Sequence, residues 1–255
     1  VLRLAERSEL PAALVTASAG NHGWALAHAA ALLDLPLAVY VPERAPAIKL
    51  QALQTAGARL IPCSDYDEAE RLAREHAGGG RATYISPYAH PDVIAGAGTL
   101  GLEILQDDPS VDVVVVPVGG GGLISGVAIA GAGRVAIFGV EAEASCPFTT
   151  SLAAGHIVAI DVGPTLADGL AGNLDPDAIT FDLVRQHVAG IVTVSEAEIR
   201  SAIAGLVAEE RLIAEGAAAV AVAALTTGRL DVEGRRAAVV LSGANIDPDT
   251  LRQLI

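Results

Sequence analysis

Three short stretches concentrate the residue types that do chemistry. Residues 16–27 read TASAGNHGWALA. An apolar run at 12–15 precedes the polar part and an alanine-rich helical pattern at 24–33 follows it. Ser18, Ala19, Gly20, Asn21, His22 and Gly23 therefore form a small turn where a strand meets a helix. Two readings compete there. In one, Ser or Asn caps the helix by accepting from an orphan N–H group. In the other, the free N–H donors and partial positive charge of the helix start hold an anion. A cap needs one polar side chain and this turn offers three, Ser18, Asn21 and His22, which favours the anion site.

The second stretch is VVVVPVGGGGLISGVAIA, residues 113–130. A β-branched run leads into Gly119, Gly120, Gly121 and Gly122, and a helical pattern follows. Glycines let the backbone approach a ligand closely and aim successive N–H groups at it. Four of them could also be a plain flexible turn, but their entropy cost at a strand–helix junction favours phosphate binding. No Lys-Ser/Thr pair follows, so this is not a Walker loop. The fit to GxGxxG is poor, although Glu141, about 20 residues on, keeps a dinucleotide site open as a minor option. The third stretch is VVLSGANIDPD, residues 239–249, in which a strand ends in Ser242, Gly243, Ala244 and Asn245. Ligands of open α/β sheets sit off the carboxyl ends of strands, which places Ser242 to touch one; a turn-forming serine is the alternative.

The elements that must position these turns alternate in type. Strands are expected at 12–17, 37–41, 59–62, 82–85, 111–118, 135–140, 191–194 and 237–241, with helical runs between most of them, including 47–56, 67–76 and 196–212. This β-then-α rhythm implies an α/β fold of parallel sheets flanked by helices. The continuous valines 113–116 mark a strand buried on both faces. A boundary is expected at PYAHP, residues 87–91, and residues 163–174 (GPTLADGLAGNL) read as a long loop or lid. Two domains follow: a small mobile one over 13–90, and a larger one comprising 1–12 and 91–255. The active site is expected between them.

Composition narrows the classes of function. Thirty acidic against sixteen basic residues give a net charge of −14, which argues against nucleic acid as a partner. A small anion is still allowed, because local N–H groups can hold it against the global field. No apolar run approaches the about 18 uninterrupted residues of a membrane helix, so no membrane partner is expected. Cys63 and Cys146 lack CxxC spacing, and a cytoplasmic location without disulfide or zinc follows. Asp65-Tyr66-Asp67, Asp175-Pro-Asp177 and Asp247-Pro-Asp249 precede helical runs and read as caps rather than cation ligands.

Taken in order, SAGNHG, PVGGGGLISG, RLIAEGAAAVA and VVLSGANID resemble the motifs of the pyridoxal-phosphate-dependent threonine and serine dehydratases and serine racemases of fold type II. The resemblance covers nearly the whole chain. It implies that the cofactor is pyridoxal 5'-phosphate, with Gly119, Gly120, Gly121 and Gly122 cradling its phosphate. Asn21 would meet the ring hydroxyl, Glu215 would lie near the ring, and Ser242 would contact the pyridine nitrogen. Ser18, Ala19, Gly20, Asn21 and His22 would receive the carboxylate of an amino-acid substrate. The implied reaction is β-elimination of L-threonine, L-serine or a related 3-hydroxy amino acid to a 2-oxo acid and ammonia, by a homodimer.

Several positions depart from the family pattern. Ala19 stands where serine racemases carry a second serine, so a racemase is the weaker expectation. Trp24 and Ala97 replace a common glutamine, and Trp24 could reshape the pocket. Pro147 occupies the place of an aspartate in some relatives' cation loop near Glu141, so no metal is expected. The family's Schiff-base lysine lies upstream of the opening turn. The chain has one lysine, Lys49, whose position is that of an ordinary helix residue, so no catalytic residue is assigned. The expectation is a working protein longer than this chain, its large domain lacking an N-terminal segment here. The alternative is a non-catalytic protein that binds phosphate compounds or amino acids.

Overall fold

The computed structural model describes residues 1–255, which divide into two compact units, Val1–Asp92 and Val93–Ile255. In the first, α1 (Leu2–Glu6), β1 (Leu14–Ala17), α2 (Asn21–Leu32), β2 (Leu37–Pro42), α3 (Ala47–Thr55), β3 (Arg59–Cys63), α4 (Tyr66–Gly78) and β4 (Thr83–Tyr84) follow one another. The four strands form one parallel sheet in the order β3-β2-β1-β4, with Leu14 opposite Leu37 and Thr83. All four residues of β1 are buried, as a central parallel strand requires. Residues 1–12 group with this unit, where Arg3 and Arg7 each lie 3.6 Å from the Asp92 carboxylate.

The helix α5 (Pro91–Asp107) begins the second unit's run of elements. It is followed by β5 (Val113–Pro117), α6 (Gly122–Gly131), β6 (Ala136–Ala142), α7 (Pro147–Ala154), α8 (Ile179–His187), β7 (Gly190–Val194), α9 (Glu196–Gly205), α10 (Gly216–Thr226), β8 (Ala237–Val239) and α11 (Pro248–Leu254). The sheet is again four parallel strands, ordered β7-β6-β5-β8. Strand periodicity sorts the valines of β5 onto its two faces. Val113 and Val115 pack with Ile199, Ile203 and the alanines of α10, while Val114 and Val116 pack with Ile124, Phe148 and Phe181. Helix α10 is mostly alanine and almost wholly buried, so it lies close against the sheet. Helices α5 and α6 also approach closely: a Cβ built on Gly126 would lie 2.6 Å from the Gly98 nitrogen. No helix is long and apolar enough to cross a membrane.

All eight expected strands form, most of them with ends shifted by one or two residues. Two helical expectations need correction. The run 196–212 is not one helix: α9 ends at Gly205, residues 206–210 form a π-turn, and Arg211 takes a left-handed φ of +62°. Asp65 and Asp247 do cap α4 and α11, accepting from Glu68 and Thr250 N–H groups at 2.8 Å. Asp175 does not cap α8. A turn intervenes, in which the Ala178 N–H bonds the Asp175 carbonyl at 3.0 Å, and α8 starts after Ala178 with no side-chain cap. Residues 163–174 are irregular apart from a 3₁₀ turn at Asp168–Leu170. This loop is pinned by bonds from Gly163 N–H to Ala144 O at 2.8 Å and from Gly172 N–H to Ser145 Oγ at 3.2 Å.

Helix α9 opens with a capping box, Ser195 and Glu198. The Glu198 carboxylate also receives Arg229 at 2.8 Å. The Arg229 hydrogen bond, then the Ser195 N–H, hold its pKa down at about 2, against an ordinary 4.5. A carboxyl depressed in the folded state contributes stability above its unfolded pKa and loses it as pH falls through the folded value. Acid unfolding of the wild type should therefore steepen from pH 4.5 toward about 2, and E198Q should show a flatter profile in that window, read by circular dichroism.

Candidate functional site

The turn after β1 holds Ser18, Ala19 and Gly20, with Asn21 and His22 opening α2. Gly20 is the N-cap residue and no side chain caps the helix. The Ser18 oxygen instead accepts from the Gly20 N–H at 3.2 Å, with Ser18 itself buried. The capping explanation of this polar turn therefore fails, and its helix start keeps the N–H donors that suit an anion. Gly23 is required by close approach, because a Cβ there would collide with the Ser18 carbonyl oxygen. The His22 Nε2 lies 3.3 Å from the Ile85 carbonyl, just past β4. A carbonyl only accepts, so Nε2 carries the hydrogen in that bond. Desolvation by burial lowers the imidazole pKa from 6.5 to about 4 and keeps the ring neutral. Nδ1 is then an acceptor and cannot donate to a carboxylate. What His22 offers an anion is its backbone N–H in the first turn of α2. Trp24 is exposed on the same helix, and Lys49 lies half-buried in the first turn of α3.

In the second unit, Gly119, Gly120, Gly121 and Gly122 join the buried end of β5 to α6. Gly121 is the N-cap residue at φ +82°, a left-handed conformation that L side chains rarely adopt, and α6 has no side-chain cap. A Cβ on Gly121 would lie 2.5 Å from Phe148 Cζ. Thr180 Oγ1 donates to the Gly120 carbonyl at 2.8 Å and fixes the turn from α8. On its other side, a Cβ on Gly119 would lie 3.0 Å from Leu170 Cα. The loop that carries Leu170 also reaches α10: a Cβ on Gly216 would collide with the Leu166 carbonyl oxygen. Glu215, buried just before α10, donates its N–H to the Gly243 carbonyl at 3.1 Å. Strand β8, which ends shortly before the exposed Ser242, pairs directly with β5.

Residues 119–122, the 3₁₀ turn, Glu215 and residues 242–243 are thus linked at the carboxyl ends of adjacent strands. The two uncapped helix starts, α6 and α10, belong to this cluster. A turn that rejects Cβ atoms and presents N–H groups fits a phosphate. Glu215 matches its expected place before Gly216 and forms the N-cap position of α10 without a side-chain cap bond. The sequence reading missed how Gly216 and Leu166 meet, since neither residue type announces a contact. Glu141 is fully buried, and its carboxylate accepts from Phe148 N–H and Thr149 N–H, each at 2.8 Å, and from Thr149 Oγ1 at 2.6 Å. It anchors the start of α7 with both oxygens. Burial pushes its carboxyl pKa up against these three bonds.

A family model described as "Pyridoxal-phosphate dependent enzyme" matches residues 1–243. The L-threonine ammonia-lyase of Thermotoga maritima is 42% identical over 246 residues, which are 95% of this chain and 61% of that protein. This chain therefore spans about three-fifths of that relative's length. Among solved structures, the processed form of threonine deaminase isoform 2 from Solanum lycopersicum superposes with a TM-score of 0.86 at 33% identity, covering 97% of this chain and 74% of that one. A pyridoxal 5'-phosphate-dependent aspartate racemase superposes with a TM-score of 0.90 at 29% identity, covering 99% and 79%. With two parallel sheets, a glycine turn at a strand end and this match over residues 1–243, the chain belongs to the fold type II family of pyridoxal-phosphate-dependent enzymes.

Proposed function

We propose that this protein catalyses the β-elimination of L-threonine, L-serine or a related 3-hydroxy amino acid to a 2-oxo acid and ammonia. The observation that carries the reading is the cluster at the ends of β5 and β8, in a chain whose relatives include threonine ammonia-lyases. When bound, pyridoxal phosphate supplies the electron sink that acidifies the substrate α-carbon. The N–H groups of residues 119–122 hold its phosphate, Ser242 meets the ring nitrogen and Glu215 lies near the ring. An alcohol at the ring nitrogen, unlike a carboxylate, would not hold it protonated.

The turn of Ser18, Ala19, Gly20, Asn21 and His22 receives the substrate carboxylate through the N–H groups that start α2, with Asn21 on the ring hydroxyl. Ala19 carries no acid–base group, so proton return on the opposite face, which racemisation needs, has no donor at this position. The amine required by the chemistry is assigned to no residue here: the single lysine, Lys49, sits in α3. On the family pattern, the working form is a cytoplasmic homodimer in which residues 13–90 are the mobile domain.

The reaction is tested by supplying the pyridoxal-phosphate-loaded protein with L-threonine, L-serine and their D-enantiomers. Equimolar ammonia and 2-oxo acid from the L-substrates alone is the expected result for the working form that carries the upstream lysine of the family pattern. Conversion of L-serine to D-serine would mean a racemase, and cofactor binding without turnover a non-catalytic binding protein. A second expectation concerns His22. Its imidazole carbon shifts should stay flat from pH 8 to 5 and move only near pH 4. Its folded pKa lies below the unfolded value, so the stability it contributes is complete above pH 6.5 and declines as pH falls toward 4. A ring that titrates near 6.5 would show that Nδ1 faces water or a charged group instead.

A further inference from the structure

Glu196 is the first residue of α9, yet its side chain makes no capping bond to that helix. The capping box of α9 is complete without it: Ser195 Oγ accepts from the Glu198 N–H at 3.4 Å and Glu198 Oε2 accepts from the Ser195 N–H at 2.6 Å. Glu196 reaches instead to the loop before α8, where its Oε2 accepts from the Leu166 N–H at 2.8 Å. Its other oxygen, Oε1, is buried and has no hydrogen-bond partner.

The loop held this way touches both sides of the glycine cluster. The Leu166 carbonyl fills the space that a side chain at Gly216 would take, Ala167 is fully buried, and Leu170 Cα backs onto Gly119. The bonds inside the 3₁₀ turn are local, from Leu170 N–H to Ala167 O at 2.8 Å and from Ala171 N–H to Asp168 O at 3.3 Å. They shape the turn, while the Gly163 and Gly172 N–H groups tie the two ends of the loop to Ala144 and Ser145. Between those ends, a carboxylate 30 residues away in sequence accepts from the backbone at Leu166 and sets where the turn sits.

We propose that Glu196 is a positioning residue for the cofactor phosphate: it holds residues 166–170 against Gly119 and Gly216, and so sets the wall of the glycine cradle. The proposal rests on reading residues 119–122 as the phosphate site. A glutamine at 196 keeps an oxygen for the Leu166 N–H, whereas an alanine leaves that donor without its partner. The unpartnered Oε1 makes no bond that an amide would break.

The test compares wild type, E196Q and E196A by titration with pyridoxal 5'-phosphate and by amide hydrogen exchange. E196A should bind the cofactor roughly tenfold more weakly, as loss of one hydrogen bond to a charged group predicts, and E196Q within about threefold of wild type. In E196A the amides of Leu166 and Ala167 should exchange faster, while those of α9 keep their protection. Wild-type cofactor affinity in E196A overturns the proposal. So does loss of α9 protection in E196A, which would make Glu196 a helix residue only. Should wild type itself fail to bind pyridoxal phosphate, the cofactor reading falls, and equal exchange at Leu166 in wild type and E196A would then overturn the anchoring by itself.

Discussion

Backbone groups at the end of a strand buried on both faces must find partners, and at the end of β5 the chain supplies almost no side chains to provide them. Gly119, Gly120, Gly121 and Gly122 follow four buried valines and run into a helix that no side chain caps. Leaving a buried N–H group unpaired costs about 1–3 kcal/mol, so a turn of this kind suits an anion or water that completes it. The surrounding architecture can be derived from that constraint. Phe148, Thr180 and Leu170 stand where side chains at the glycines would otherwise be. Each comes from a different segment, and the segments of Phe148 and Leu170 have their own anchors.

Those anchors are mostly carboxylates bound to backbone N–H groups. Glu141 fixes the start of α7, and with it Phe148 under Gly121. Glu196 fixes Leu166, and with it the approach of Leu170 to Gly119. A buried carboxylate is costly to desolvate, and the N–H donors of a helix start or loop offset that cost. The acidic excess of the chain thus has structural uses inside the second unit as well as keeping the surface charged. In the first unit the same economy of side chains appears at Gly20 and Gly23, where backbone meets backbone and the helix start is left open.

The sheets were legible because β-branched runs and alanine-rich runs alternate so plainly, and residues 113–116 could be nothing but a central strand. The two helix starts at Asn21 and Gly122 were legible from their glycines and small polar residues. Asp65 and Asp247 were readable as caps because each lies immediately before its helix; Asp175 misled because a turn separates it from α8. Glu141 keeps a dinucleotide site open in sequence, and its bonds to α7 could not be inferred, since the donors lie seven and eight residues on and depend on how the loop folds back. The break in α9 at Gly205 and the seat of Leu166 against Gly216 depend on tertiary contacts that no local pattern encodes. The ring of His22 shows the limit for site residues: sequence places it in the turn, but the Ile85 carbonyl decides which nitrogen carries the hydrogen.

The central claim is that the glycine turn after β5 binds the phosphate of pyridoxal phosphate. It is tested most directly by titrating the protein in parallel with pyridoxal 5'-phosphate and with pyridoxal, which lacks the phosphate, following the cofactor absorbance. Saturable binding of the phosphorylated form, displaced by inorganic phosphate, is the expected result. Pyridoxal should bind at least roughly a hundredfold more weakly, the loss expected from two charge-assisted hydrogen bonds. Equal affinity for the two compounds, or no competition by phosphate, would contradict it.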